Sequence, residues 1–314
     1  MRRFATPAAA GVFILAATLL AGCAAPQVSA LVERRPADLP GAAEIVGTPF
    51  FAQEDYQCGP ASLATVLVYA GRAATPELLV PQVYLPGRKG SLQAEMLAGA
   101  RRHGLVAYRI APRLEALLAE IAAGTPVLVL QNLGLAWVPL WHYAVAIGYD
   151  LENRILILRS GVTRRLEMSL DTFEHTWARS NYWAMLALSP ERLPASAAEQ
   201  PYVAAVAALE RVEPAAARRG YEAALARWPQ SLTAELGQGN ASYALHDLAA
   251  AAAAYRRATA RHPASADAWN NLAQALIEQG NRDEALAAAR RAVGLGGPRL
   301  PTYRETLEHI LQRP

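Results

Sequence analysis

The residues best suited to covalent chemistry lie between positions 50 and 71. Cys58 is one of two cysteines in the 314 residues, and Gly59 and Pro60 follow it directly before an apolar run. This pattern predicts a loop that enters a helix near the thiol. Backbone N–H groups and the helix dipole at such a position favour a thiolate. Gln53 lies five residues upstream and carries an amide suited to stabilising an oxyanion. The stretch suggests a cysteine nucleophile.

Among the six histidines, His142 has the context best suited to a general base. It begins the apolar stretch HYAVAIGYD after a proline-containing loop, which predicts a strand that starts at a sheet edge. His103 lies at a predicted helix end, where a cation is favourable without any function. The other histidines fall in predicted helices or near solvent. A lone strand histidine is also common in protein cores, so His142 gains meaning together with Cys58.

Gln53, the Cys-Gly-Pro box at 58–60 and the segment beginning at His142 together resemble the bacteriocin-processing cysteine peptidases. The resemblance covers roughly residues 44–188. It implies a papain-like α+β domain that hydrolyses peptide bonds, since the best-known members cleave leader peptides after a double glycine. It assigns Cys58 as the nucleophile, His142 as general base and then general acid, and Gln53 as oxyanion donor.

One position departs from the family pattern. The family carries an aspartate, usually followed by proline, on the strand after the histidine, whereas this chain has Ser160 and Gly161 there. Either Ser160 or a backbone carbonyl orients the imidazole, or Asp150 does so from the end of the histidine strand, or the enzyme is weak or inactive. In the last case, the chain would be a protein-binding scaffold rather than a cysteine endopeptidase.

Four aromatic residues around these positions have two interpretations. Trp137, Trp141, Tyr143 and Trp183 fit a substrate cleft, but they fit ordinary core and sheet positions equally well. We therefore assign none of them to the site.

Residues 1–23 are typical of a targeting segment. Two arginines precede the apolar stretch 8–20, and the sequence Leu-Ala-Gly-Cys ends at Cys23. This resembles the lipobox of bacterial lipoproteins and implies cleavage before Cys23 and lipidation of that residue. Ala24 then favours the outer membrane, facing the periplasm. An ordinary signal peptide or an uncleaved anchor is the alternative. With Cys23 lipidated, Cys58 is the remaining thiol and an intramolecular disulfide is excluded.

Composition narrows the classes of partner. Hydrophobic residues make up 53% and charged residues 18% of the chain, and the formal net charge is +3. This balance and the absence of a basic-aromatic patch argue against nucleic-acid binding. The sequence shows no metal-ligand cluster, phosphate loop or nucleotide motif, so we expect neither a metal nor a cofactor.

A period of 34 residues marks the C-terminal part. Tyr221 and Tyr255 are separated by this spacing, as are Pro229 and Pro263. The pattern resembles tetratricopeptide repeats, about three units over 198–298 with a terminal helix near 302–311. A generic alanine-rich helical bundle is the alternative. The resemblance implies that this region binds a protein partner.

These observations predict five segments. They are a lipoprotein signal peptide at 1–23, an aperiodic tether at 24–43, a papain-like domain at 44–188, a linker at 189–197 and repeats at 198–314. The predicted function is a membrane-tethered thiol protease that hydrolyses a protein or peptide substrate.

Overall fold

The computed structural model describes residues 25–52 and 57–313. An α/β sheet domain comes first and an all-helical repeat region follows, as the sequence predicts. The helices of the sheet domain are α1 (Pro26–Glu33), α2 (Cys58–Tyr69), α3 (Pro76–Val83), α4 (Gln93–Arg102), α5 (Leu114–Ala122) and α6 (Leu170–Ala178). Its strands are β1 (Ala42–Glu44), β2 (Val106–Arg109), β3 (Val127–Asn132), β4 (Trp141–Asp150), β5 (Ile155–Ser160), β6 (Thr163–Ser169) and β7 (Ala184–Leu188).

The strands form one antiparallel sheet in the order β2-β7-β3-β4-β5-β6, and β1 also pairs with β4. β4 and β5 form a hairpin, with Asp150 opposite Ile155 next to the turn. β1 ends at Glu44, and the amide of Ile45 makes one further bond to the Ile147 carbonyl of β4.

Each face of the sheet packs against helices. Alternate residues of β4 face opposite cores: Ala144 and Ala146 pack with α5 and α6, while Tyr143, Val145 and Ile147 pack with α2. Helix α2 is buried on nearly all sides, as expected for an apolar helix in a core.

The predicted tether folds onto the sheet domain. Residues 26–33 form α1, whose Val28 and Leu31 are buried. The backbone amides of Gln27 and Val28 donate to the Glu174 carboxylate at 3.0 and 2.7 Å. Glu174 is 1% exposed, so these bonds satisfy a buried charge together with two free amides at a helix start. The aperiodic composition concealed this short, tertiary-stabilised helix.

Residues 189–198 contain no helix or strand. The predicted linker, 189–197, covers all of them except residue 198. They are nevertheless fixed, because the buried Glu120 carboxylate accepts bonds from the amides of Ala195 and Ser196 at 3.2 and 2.7 Å. The linker is therefore held against the sheet domain.

The repeat region consists of seven helices within the described residues. They are α7 (Glu199–Glu210), α8 (Pro214–Arg227), α9 (Leu232–Ala244), α10 (Leu248–Arg261), α11 (Ala266–Glu278), α12 (Arg282–Leu295) and α13 (Leu300–Gln312). Small residues permit their close packing: a Cβ on Gly237 would lie 2.2 Å from the Tyr221 ring, and one on Gly239 would lie 2.3 Å from the Tyr255 ring. Tyr221 of α8 and Tyr255 of α10, which are 34 residues apart, thus each lie against a glycine of α9, the helix between them.

The first repeat helix packs on the sheet. Tyr202 of α7 is fully buried and lies 6.3 Å, centroid to centroid, from Tyr108 of β2. Val206 and Leu209 belong to the same apolar core as β2 and β3. The sheet domain and the first repeat therefore share one core.

Within the described residues, no helix combines the length and the apolar character needed to cross a bilayer.

Candidate active site

The thiol lies at the first residue of α2. Cys58 begins the helix, and Gln57 precedes it without a side-chain cap. Gly59 is required by close packing, because a Cβ there would lie 2.2 Å from the Ser91 hydroxyl. Helix α4 begins at Gln93, and Leu92 before it provides no side-chain cap. The Cys-Gly pair thus lets the loop before α4 cover the start of the cysteine helix.

The environment of the thiol opposes ionisation. Burial raises the pKa of Cys58 above its usual value, although the backbone N–H groups of Tyr143, Gly59 and Cys58 itself act in the opposite direction. The helix start therefore has the effect on the thiol that the sequence predicts, but desolvation outweighs it. At neutral pH the resting group is a thiol.

His142 lies next to the residue whose amide reaches the thiol. It is the second residue of β4, opposite Gln131 of β3, and its neighbour Tyr143 directs a backbone N–H at the Cys58 sulfur. Burial lowers the pKa of His142, so its imidazole is neutral at pH 7. The fold thus brings the thiol to the strand position directly beside the predicted base.

Ser160 holds the imidazole. The His142 Nε2 lies 2.8 Å from the Ser160 Oγ, a normal hydrogen-bond length. Ser160 is the last residue of β5, directly beyond an irregularity in the β5–β6 pairing. A hydroxyl can donate to or accept from either tautomer. Since Nε2 is engaged, Nδ1 is the ring nitrogen left for a reacting thiol.

Asp150 occupies the other end of β4. Its carboxylate accepts bonds from the amide and side chain of Asn153 at 3.0 and 2.7 Å. These bonds close the β4–β5 turn and lower the pKa of Asp150. Of the two side chains predicted as orienting candidates, the structure brings Ser160 to His142 and places Asp150 in a turn.

A buried arginine fixes the segment that leads to the cysteine. Arg159 of β5 donates through Nη2 and Nε to the Thr48 carbonyl at 2.9 and 3.3 Å. Thr48 is buried, and its hydroxyl donates to the Ile45 carbonyl at 2.9 Å. Arg159, the neighbour of Ser160, thus holds residues 45–48 next to the side of the site that contains His142. No sequence motif indicated this role.

Two predicted site residues lie outside the described part of the chain. These are Gln53, the expected oxyanion donor, and Cys23, the expected lipidation site. Within the described residues, no group of three or more His, Cys, Asp or Glu side chains has the arrangement of a metal site.

The four aromatic residues divide between the two interpretations. Tyr143 and Trp183 are buried in edge-to-face contact, with ring centroids 5.8 Å apart, so they are core residues. Trp137 and Trp141 are exposed on the loop before His142. The sequence showed this loop to be apolar, but its exposure became visible only in the structure.

Cys58 at the start of α2 thus lies against an antiparallel sheet whose strand β4 carries the hydrogen-bonded imidazole of His142. Two family models match parts of the chain. Residues 45–185 match the family described as Peptidase_C39 like, and residues 202–258 and 236–299 match the tetratricopeptide repeat. The N-terminal domain thus resembles C39 peptidases, and tetratricopeptide repeats follow it.

Three solved structures are similar to one or the other of the two parts of this chain. A C39-like peptidase from Bacillus anthracis is 18% identical, with 48% of this chain and 98% of that chain covered and a TM-score of 0.41. A double glycine motif protease from an AMS/PCAT transporter, in complex with the leader peptide, is 20% identical, with 46% and 91% covered and a TM-score of 0.34. MamA is 20% identical, with 36% and 69% covered and a TM-score of 0.32. No curated protein matches the chain.

Proposed function

We propose that this protein is a cysteine endopeptidase in which Cys58 is the nucleophile and His142 is the general base. One observation carries the proposal: His142, whose Nε2 is hydrogen-bonded to Ser160 at 2.8 Å, directly precedes Tyr143, whose backbone N–H acts on the Cys58 thiol. A nucleophile and a base positioned by a third group are the parts that acyl transfer needs. The match of residues 45–185 to the C39-like family supports the same chemistry.

The proposed reaction has two steps. The Cys58 sulfur bonds to the carbonyl carbon of the scissile peptide while its proton passes to His142 Nδ1. The imidazolium then gives this proton to the departing amine as the C–N bond breaks, which leaves a thioester. Water, deprotonated by His142, attacks the thioester carbon; the C–S bond then breaks, the carboxylic acid product leaves, and the sulfur regains the proton. The Cys58 amide and Gln53 are the proposed donors to the oxyanion.

Burial sets the order of proton transfer. Because burial raises the pKa of Cys58 and lowers that of His142, the resting pair is neutral rather than a thiolate–imidazolium pair. The proton must therefore move as the substrate binds and the sulfur attacks. In such a pair, His142 stays unprotonated, and so remains able to act as a base, as the pH falls through the ordinary histidine range.

In this proposal, Ser160 replaces the family aspartate as the positioning residue. Its hydroxyl fixes the ring orientation through Nε2 but carries no charge to stabilise the imidazolium that forms during the reaction. We therefore infer a slower enzyme than one with a carboxylate at this position.

The buried thiol and the uncharged Ser160 also favour a second candidate, a peptidase-like scaffold without activity. A buried thiol with a raised pKa and an uncharged orienting group are the properties expected where proton transfer is no longer needed. In that case, the sheet domain and the repeats would both bind protein partners.

We further propose that Cys23 carries lipid and holds the protein on the periplasmic side of the outer membrane. The repeats would bind a protein partner or present a protein substrate, in keeping with the match to the tetratricopeptide family over 202–299. Neither a metal nor a cofactor is part of the proposed reaction.

An acyl-type, thiol-directed peptidase probe separates the two candidates. The purified protein, Cys58→Ala and His142→Ala are treated with the probe, and labelled peptides are located by mass spectrometry. If the protein is a peptidase, the probe should label the peptide that contains Cys58. The labelling rate should be lower in His142→Ala, by a factor on the order of 10²–10⁴. Labelling no faster than that of a free thiol, and unchanged by His142→Ala, would contradict the peptidase and support the scaffold.

A further inference from the structure

Residues 133–141, which comprise the loop between β3 and β4 and Trp141 at the start of β4, expose an unusual number of large apolar side chains. We call this segment the apolar loop. It contains no charged residue, and Trp137 is 78% exposed and Leu140 62% exposed. Exposed apolar side chains scattered singly are normal, but a contiguous group marks an interaction surface. The other exposed members are Leu133, Leu135, Val138 and Trp141.

The backbone of the apolar loop is closed on itself. The Asn132 Oδ1 accepts bonds from the amides of Gly134 and Leu140 at 3.0 and 2.8 Å. The loop amides that bond to loop carbonyls are those of Leu133, Leu135 and Val138. A segment that enters a lipid interface must satisfy its polar backbone internally, and this loop does so for these amides.

The apolar loop is also held in place. Gly134 is needed for its closure, since a Cβ there would lie 2.4 Å from the Val138 carbonyl oxygen. Arg179, at the end of α6, donates to the carbonyls of Asn132 and Gly134 at 3.2 and 2.6 Å. The loop therefore presents its side chains from a fixed frame, with an exposed cation beside it.

The N-terminus of α1 lies toward the same end of the domain. The C-terminal part of α1 faces the opposite end, where Leu31 and Arg35 line a cavity with Asp150 and Leu170. From there α1 extends back along α6, which begins at Leu170 and ends at the apolar loop. Its first turn reaches Glu174, midway along α6.

The folded tether brings the proposed anchor close to this surface. Ala25 is buried on the domain, and the two residues from Cys23 to Ala25 span at most about 7 Å. Acyl chains on Cys23 would therefore place this end of the domain directly on the bilayer. A free tether of twenty residues would have imposed no such orientation.

We infer that the apolar loop inserts into the bilayer surface beside the Cys23 acyl chains, so that the site at His142 acts on polypeptides lying at the membrane surface. Tryptophan and aliphatic side chains are the residues that occupy the lipid interface. Arg179 and Arg113, both exposed near this end, suit an anionic headgroup region. The inference rests on the proposed lipid anchor for its orientation, and the experiment tests the two separately.

Mass spectrometry of the mature N-terminal peptide first decides whether Cys23 is acylated. The full protein is then reconstituted in vesicles of phosphatidylethanolamine and phosphatidylglycerol with brominated acyl chains, and quenching of tryptophan emission is measured. We expect quenching of the wild type that falls in Trp137→Phe and Trp141→Phe. Trp228→Phe and Trp269→Phe, in the repeats, serve as controls that should not lower the quenched fraction, because they remove emission that lies away from the lipid.

A second pair of variants matches residue type and exposure. Leu140→Ser should reduce quenching, whereas Leu78→Ser on α3, which is 63% exposed against 62% for Leu140, should not. Acylated protein without loop-dependent quenching would overturn the inference while leaving the anchor intact. A higher KM for a peptide substrate in Leu140→Ser with unchanged quenching would overturn it in favour of a substrate contact.

If Cys23 proves not to be acylated, vesicle sedimentation decides the matter. Association that falls about tenfold in Leu140→Ser, the effect expected for one lost apolar side chain, would support insertion without the anchor. No association with vesicles would overturn both.

Discussion

The sheet domain and the repeat region are stabilised in different ways. In the repeats, neighbouring helices pack through small residues, as where Tyr221 lies against Gly237. In the sheet domain, two buried carboxylates hold segments distant in sequence: Glu174 binds the start of α1 and Glu120 binds the linker. Repeats thus depend on local shape, while the sheet domain depends on a few long-range polar contacts. Substitutions in the two regions should therefore differ in their effects on stability.

The largest effect on stability is expected at Glu174. Glu174→Ala leaves the buried amides of Gln27 and Val28 without their acceptor and should lower the free energy of unfolding by about 3 kcal/mol, as expected for two charge-assisted bonds. Urea denaturation measures this, and hydrogen exchange at the two amides should accelerate. Glu222→Ala, on an exposed face of α8, is the control and should change stability by less than about 0.5 kcal/mol. Equal effects of the two variants would refute the role given to Glu174.

A glycine pair tests the repeats. Gly237→Ala places a Cβ 2.2 Å from the Tyr221 ring and should destabilise the repeats by about 1–3 kcal/mol through overpacking. Gly294→Ala, inside α12 with open space around it, should stabilise by about 0.5–1 kcal/mol because alanine favours a helix. Thermal unfolding followed by circular dichroism compares them. The local-shape account fails if both variants shift the midpoint in the same direction.

The smallest effect concerns the site. Ser160→Ala removes one hydrogen bond from His142 and should lower kcat/KM about tenfold, which corresponds to about 1.4 kcal/mol. Because burial lowers the pKa of His142, activity of the wild type should fall only as the pH drops below the ordinary histidine range. Ser160→Asp adds a negative charge that favours the imidazolium, so the acid limb should move to higher pH. Steady-state rates between pH 4 and pH 9 provide the check; an acid limb at the same pH in Ser160→Asp would show that this residue does not control the imidazole.

Sequence reasoning succeeded where a local pattern determines structure. Thr75 and Ser169, residue types typical of helix N-caps, accept bonds from the amides of Leu78 and Thr172. The tyrosine period identified the repeats, because each helix pair packs only against its neighbours. The residue pattern predicted the helix that begins at the cysteine and the strand that begins one residue before His142.

It failed where distant groups determine structure. The α1 helix depends on Glu174, which is about 146 residues away along the chain, and composition alone suggested a tether. The raised pKa of Cys58 results from burial by the surrounding fold, whereas the sequence showed only the helix start. Ser160 was one of the orienting candidates named from the sequence, but its bond to His142 required the geometry of two paired strands.

The shared core between β2 and α7 has a consequence for how the molecule can be divided. The linker lies at residues 189–198, yet Tyr202 of α7 packs against Tyr108 of the sheet domain across it, and against Trp228 within the repeats. Proteolysis or truncation at the linker would therefore uncover an apolar face on each fragment instead of releasing two independent modules. Because the two regions share one core, the repeats and the face that carries Cys58 and His142 keep one relative orientation.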